Sequence, residues 1–292
     1  MEPKTLSGKE VSNSVYASLK DRITILNSQS IIPSLAVIIV GEDSASQIYV
    51  RNKTRQFSNN GLFSDTITYS SDITQDILLS KIYELNKNSQ FHGILVQLPL
   101  PNHIDEDAVI NAIDPKKDVD GFHPYNLGCL AAGKPIFIPC TPKGIMRIFH
   151  HYNITISGKH VVVVGRSNIV GRPISILTSL KQANSNGTTT ICHSGTENIG
   201  QYTKQADIVI LALGSPEFLK GKDIKEGAVI IDVGINRVDN DSPKGYKIVG
   251  DGEEASLKGK ASACTPVPGG VGPMTIAMLV ENTVEAAERT QD

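Results

Sequence analysis

Between Val11 and Asn27 the apolar residues Val11, Val15, Leu19, Ile23 and Leu26 recur every three or four positions, the period of a helix with one buried face. Ser34-Leu-Ala-Val-Ile-Ile-Val40 has no polar alternation, which is the pattern of a strand covered on both sides, and it stops at Gly41. The same reading predicts a helix from about Ser44 to Asn59, a strand around Thr66 to Tyr69 and a helix from Ile73 to Asn86. A strand Gly93-Ile-Leu-Val-Gln97 follows and is cut off by Leu98-Pro-Leu-Pro101. Strand and helix alternate, so the sheet should be largely parallel with helices on its faces.

A Gly- and Pro-rich stretch from Pro115 to Pro142 reads as loop and as a domain boundary. Beyond it Val161-Val-Val-Val164, Thr188 to Cys192, Ile208 to Ala212 and Val229 to Val233 form a second series of strands. A last helix from Thr275 to about Arg289 carries Ala277, Val280, Val284 and Ala287 on one side. The expected fold class is α/β, with a first α/β domain at 1–140, a second at 141–274, and the helix from about 275 to 292 packing back on the first. A ligand cleft is expected between the domains.

Composition narrows the function classes. At 292 residues, with 40% hydrophobic and 20% charged residues, the chain is globular and long enough for two cores. Lys+Arg 28 against Asp+Glu 30 gives a net charge of -2, which leaves no general footprint for nucleic acid or an anionic membrane. Cys129, Cys140, Cys192 and Cys264 form no CxxC pair, and His103 and His123 lack metal-ligand spacing, so reduced thiols and no metal are expected. The N-terminus has no signal-peptide core, and no run approaches the ~20 apolar residues of a membrane helix, which points to the cytoplasm.

Val164-Gly165-Arg166-Ser167-Asn168-Ile169-Val170-Gly171 runs from a strand through a glycine turn into a helix, the setting of a dinucleotide fingerprint. Gly165 permits the tight turn and Gly171 a close helix, while Ser167 stands near the missing middle glycine. The second strand of that series ends Ile191-Cys192-His193-Ser194 without the carboxylate that would read a ribose 2′-hydroxyl. Arg166 and Ser194 are then placed to hold a 2′-phosphate, favouring NADP, unless Arg166 is an ordinary surface cation. Gly128 to Lys134 imitates a P-loop, but Pro135 replaces the Ser or Thr that would hold Mg²⁺ and no buried strand precedes it.

Ser46, Tyr49 and Lys53 share one face of the helix predicted from Ser44, a spacing that by itself is common. Gln97 ends a strand, where ligands of open α/β sheets bind. Asp120, in Asp118-Val-Asp120-Gly121, either pairs with a planar donor edge such as an aminopyrimidine or caps a turn. Thr265-Pro-Val-Pro268-Gly269-Gly270-Val271-Gly272-Pro273-Met274-Thr275 joins rigid and permissive residues in one loop.

Taken in order, SASQIYVRNK, GILVQLPLP, DVDGFHPYNLG, PCTPKG, VVVVGRSNIVGRP, DVGIN and TPVPGGVGPMT resemble the bifunctional methylenetetrahydrofolate dehydrogenase/cyclohydrolase family along nearly the whole chain. The resemblance implies NADP-linked oxidation of 5,10-methylenetetrahydrofolate and hydrolysis of the product, in a Rossmann-type second domain facing a folate-binding first domain, and a homodimer. It further implies that Tyr49 stacks on folate, Lys53 is the key catalytic side chain, Gln97 tunes it and Asp120 grips the pterin, with Ser46, Leu98, Pro268 and Gly269 in the folate pocket. Thr141, Gly165, Arg166, Ser167, Ile169, Ser194, Ala212, Ile235 and Thr275 are implied as cofactor contacts. Gly252 departs from the Val common after Gly-Asp in the family, so looser order is expected there. Competing readings are an NADP-dependent dehydrogenase of another small acid and a non-catalytic NADP-sensing module.

Overall fold

The computed structural model describes residues 2–241 and 245–291. The chain forms two compact units, one built from Ser14–Cys140 and Ile276–Asp292, the other from Met1–Asn13 and Thr141–Thr275.

In the first unit the strand Ser34–Val40 lies between Phe63–Tyr69 and Gly93–Val96, all parallel, with Val37 aligned to Thr66 on one side and Leu95 on the other. Every residue of Ser34–Val40 is buried, which is why its sequence shows no alternation. Phe63–Tyr69 is an edge strand and is only partly covered. Helix Gln75–Lys87 begins at Thr74, whose hydroxyl accepts the Ile77 amide, and buries Leu78, Ile82 and Leu85 against Ile38 and Ile94. Successive strands go to opposite sides of Ser34–Val40, so the chain reverses direction across the sheet between that strand and Gly93–Val96. Their carboxyl ends are therefore the point where a crevice opens.

Helix Val271–Glu288 gives its portion from Ile276 to this unit. Arg22 grips Glu288 in bidentate fashion at 2.8 and 2.6 Å, and the fully buried Asn282 amide donates to Val119 O at 2.7 Å and Ile138 O at 3.1 Å. The stretch expected to be loop between 115 and 142 contains a helix, Pro124–Ala131. Pro124 suits its first turn and His123 Nδ1 accepts the Tyr125 amide, but eight residues are too few to reveal a period.

The second unit is a six-stranded parallel sheet in the order Lys4–Thr5, Ala263–Cys264, Val229–Asp232, Ile208–Leu211, His160–Val164, Thr188–Cys192. Its first strand corrects the expected boundary, because residues 1–13 join this unit rather than the one that follows them in sequence. The Lys4 and Leu6 amides donate to Ser262 O and Cys264 O at 2.8 Å each, extending the sheet by a strand too short to carry a pattern. An antiparallel pair, Asn236–Asp239 with Tyr246–Val249, was also not foreseen. Gly252 is buried and its amide donates to Asp232 Oδ2 at 2.8 Å, so the segment expected to be loose is held. A Cβ there would lie 2.8 Å from Leu257 Cδ1.

Candidate active site

At the carboxyl ends of the strands of the first unit, Gln97 follows Gly93–Val96 and its amide donates to Ile38 O at 2.8 Å. Its side chain is fixed at both ends: Nε2 donates to Leu98 O at 2.7 Å, and Oε1 accepts from Lys53 Nζ at 3.1 Å. Lys53 belongs to helix Ser44–Asn59, which leaves the neighbouring strand and starts at Asp43, whose carboxylate accepts the Ser46 amide at 2.7 Å. One turn earlier, Tyr49 places its ring 4.5 Å from Lys53 Nζ. Ser46 is buried on the same helix.

Lys53 is 4% exposed. Burial pushes its ammonium below the ordinary lysine value, while the charge of Asp120 and the Cys140 thiol pull the other way. Asp120 responds in mirror image: burial raises its carboxyl, and Lys53 and a hydrogen bond from Cys140 lower it. The turn-capping role open to Asp120 belongs instead to Asp118. Asp118 Oδ1 accepts the Gly121 and Phe122 amides, and Oδ2 accepts the His123 amide at 2.8 Å and Asn126 Nδ2 at 2.7 Å. Burial nevertheless pushes the Asp118 carboxyl up to about 7. With the turn already capped, the Asp120 carboxylate is left to face Lys53.

Sequence reasoning treated Cys140 only as a reduced thiol. It is in fact 1% exposed, donates to Val119 O at 3.4 Å and sits against both Asp120 and Lys53. Asn282 was passed over as well, though it ties down the peptide on one side of Asp120. Neither residue had a local signal, because each acts through a segment distant in sequence.

The second unit holds the other group of singled-out residues. Its sheet reverses order between His160–Val164 and Ile208–Leu211, so their carboxyl ends form a switch point, and Gly165 and Ala212 follow them directly. Gly165 has φ 135°, and a Cβ there would lie 2.1 Å from Ala212 O. Gly171 lets the next helix press onto the same turn, since a Cβ would sit 2.3 Å from Gly165 O. Ser167 Oγ accepts the Val170 amide at 3.2 Å and the Gly171 amide at 3.3 Å, taking two of the helix N-terminal donors.

Arg166 and Ile169, within this turn, are exposed, as are Ser194, after the strand Thr188–Cys192 that ends without a carboxylate, and Ile235, after Val229–Asp232. Thr141 and Thr275 bond through their hydroxyls at 2.9 Å. Pro268 is exposed, while Gly269 has φ 109° and its carbonyl accepts the Lys9 amide at 3.2 Å. The first unit thus brings together Ser46, Tyr49, Lys53, Gln97, Leu98 and Asp120, and Pro268 and Gly269 belong to the second.

Comparison with known proteins gives two adjoining family matches. Residues 6–120 match the tetrahydrofolate dehydrogenase/cyclohydrolase catalytic domain, and residues 139–291 match the NAD(P)-binding domain of the same family. The bifunctional protein FolD of Acetivibrio thermocellus is 53% identical over 288 residues, covering 99% of this chain and 98% of that protein. The crystal structure of the bifunctional FolD dehydrogenase/cyclohydrolase of Campylobacter jejuni is 44% identical with a TM-score of 0.92, covering 98% of this chain and 99% of that one. The Trypanosoma brucei methylenetetrahydrofolate dehydrogenase-cyclohydrolase, solved with NADP cofactor and an inhibitor, is 35% identical with a TM-score of 0.93, covering 100% of this chain and 99% of that one.

Proposed function

Because the chain belongs to the tetrahydrofolate dehydrogenase/cyclohydrolase family, we propose that it oxidises 5,10-methylenetetrahydrofolate to 5,10-methenyltetrahydrofolate with NADP and hydrolyses that product to 10-formyltetrahydrofolate. The observation that carries this reading is a buried lysine amine, hydrogen-bonded to Gln97 at 3.1 Å and facing a carboxylate. A dehydrogenase of another small acid, or a module that only senses NADP, has no use for that trio.

NADP fits the residues of the second unit. The Gly165 turn leaves bare backbone at the switch point, and the exposed Arg166 and Ser194 offer a cation and a hydroxyl suited to a 2′-phosphate. Thr141, Ser167, Ile169, Ala212, Ile235 and Thr275 would complete the contact. When bound, NADP supplies the acceptor for the hydride that leaves the one-carbon bridge.

The chain's own residues then act on folate. Asp120 binds the planar donor edge of the pterin, Tyr49 stacks on the ring system, and Ser46 and Leu98 line the pocket. Lys53 works as a neutral amine, because an ammonium beside the methenyl cation would be repelled, and burial favours the uncharged form. It accepts a proton from water as the water oxygen bonds to the methenyl carbon. Cleavage of the bond from that carbon to N5, with the hydroxyl proton passing to N5 as the C=O forms, leaves the formyl group on N10, and Lys53 gives its proton up to solvent. Gln97, fixed by Leu98 O, orients the amine.

The reading extends to a cytoplasmic homodimer; no helix among the described residues is long and apolar enough to cross a membrane. An absorbance assay with methylenetetrahydrofolate and NADP tests the reaction pair. Methenyltetrahydrofolate should appear and then decay faster than in buffer; a chain that forms none overturns the reading.

A further inference from the structure

A cavity of about 1190 Å³ opens at the amino ends of the three strands of the first unit, beside Ser34, Phe63 and His92. Lys53 and Gln97 stand at the carboxyl ends. The seven-residue strand Ser34–Val40 between the two ends is about 20 Å long, so the cavity is a separate place from the folate site. Its volume exceeds the roughly 300–1,000 Å³ typical of small-molecule pockets, so it has room for a bicyclic ligand.

The walls have two characters. Phe63 and Phe91 stack with centroids 6.3 Å apart and an interplanar angle of 27°, and Ile136 continues the apolar surface. Phe63 remains 43% exposed, an uncovered aromatic edge. The polar wall is cationic: Lys87, Lys116, Lys117 and Arg289 line the cavity, against Asp114 as the carboxylate among the described lining residues. Lys117 is held in place by donating to Leu85 O at 3.0 Å and Asn88 O at 2.7 Å, which leaves its third N–H uncommitted by those bonds. His92 accepts the Ser34 amide at Nδ1, so its neutral ring carries the proton on Nε2 and offers a second donor. Burial and the nearby Lys117 charge hold the ring below its ordinary value and keep it neutral.

We propose that this cavity is a second ligand site of the catalytic unit, one that takes a planar aromatic carboxylate, with the ring on the Phe63–Phe91 platform and the carboxylate toward Lys117 and His92. The pairing follows from the walls: an aromatic body gains from the stacked rings, and a neutral or cationic head forfeits the positive rim.

The probe is 2-naphthoate, titrated by calorimetry into the full chain with and without saturating tetrahydrofolate. Binding should saturate at one per chain and persist when tetrahydrofolate is present. The neutral 2-naphthamide should bind at least about tenfold more weakly. Phe63→Ser should weaken naphthoate about tenfold and Lys116→Gln severalfold, each with unchanged Tm and dehydrogenase rate, since neither residue belongs to the catalytic machinery. Absence of saturation, equal affinity for acid and amide, indifference to both substitutions, or displacement by tetrahydrofolate overturns the proposal.

Discussion

At Lys53, burial and charge oppose each other over a single proton. Burial at 4% exposure drives the amine toward its neutral form, and Asp120 restrains it. The neutral form is the base, so hydrolysis should rise with pH through the lowered lysine value and level off below the ordinary lysine range. Gln97→Glu would place a carboxylate 3.1 Å from that amine, stabilise the ammonium and move the limb to higher pH. A pH–rate profile unmoved by Gln97→Glu contradicts the assignment. In the second unit, Arg166→Ala should raise KM for NADP by about tenfold and leave KM for NAD nearly unchanged, as loss of one charge-assisted contact to a phosphate would. Steady-state comparison of the two cofactors checks this, and equal losses would mean the arginine does not read the phosphate.

At the scale of elements, what could be read from the sequence depended on how long each pattern ran. Ser34–Val40 and His160–Val164 were readable because a buried strand five to seven residues long has a composition of its own. Lys4–Thr5 was not, because a two-residue strand exists only through its partner Ala263–Cys264. The helical spacing placed Tyr49 and Lys53 on one face, yet it said nothing of Gln97, which meets Lys53 only because two parallel strands end together. Cys140 and Asn282 were invisible for the same reason. Asn282 offers a prediction at this scale: its amide serves Val119 O and Ile138 O from inside the core. Asn282→Ala should destabilise its unit by about 2 kcal/mol, the cost of leaving buried carbonyls without a donor. It should also raise the KM for folate by loosening the peptide next to Asp120. Thermal unfolding and kinetics together check it, and an unchanged Tm would show that the bonds are dispensable.

For the whole molecule, the chain order and the unit order differ: residues 1–13 join the unit that begins at 141, and residues 276–292 return to the one that ends at 140. A simple cut at the middle boundary therefore yields no intact unit. Removing 276–292 would leave Arg22, Val119 and Ile138 without their partners Glu288 and Asn282 and take the buried Met278, Val280 and Val284 out of the core. The truncated chain should lose the cooperative unfolding of its first unit, which calorimetry would read as a missing transition.

In the proposed reaction one buried amine performs the hydration that follows oxidation. The most direct test is the hydrolysis of methenyltetrahydrofolate by Lys53→Met beside the unaltered chain, with folate affinity measured in parallel. Loss of hydrolysis by about a hundredfold or more, with affinity largely kept, is the predicted result. Hydrolysis at the original rate would contradict it.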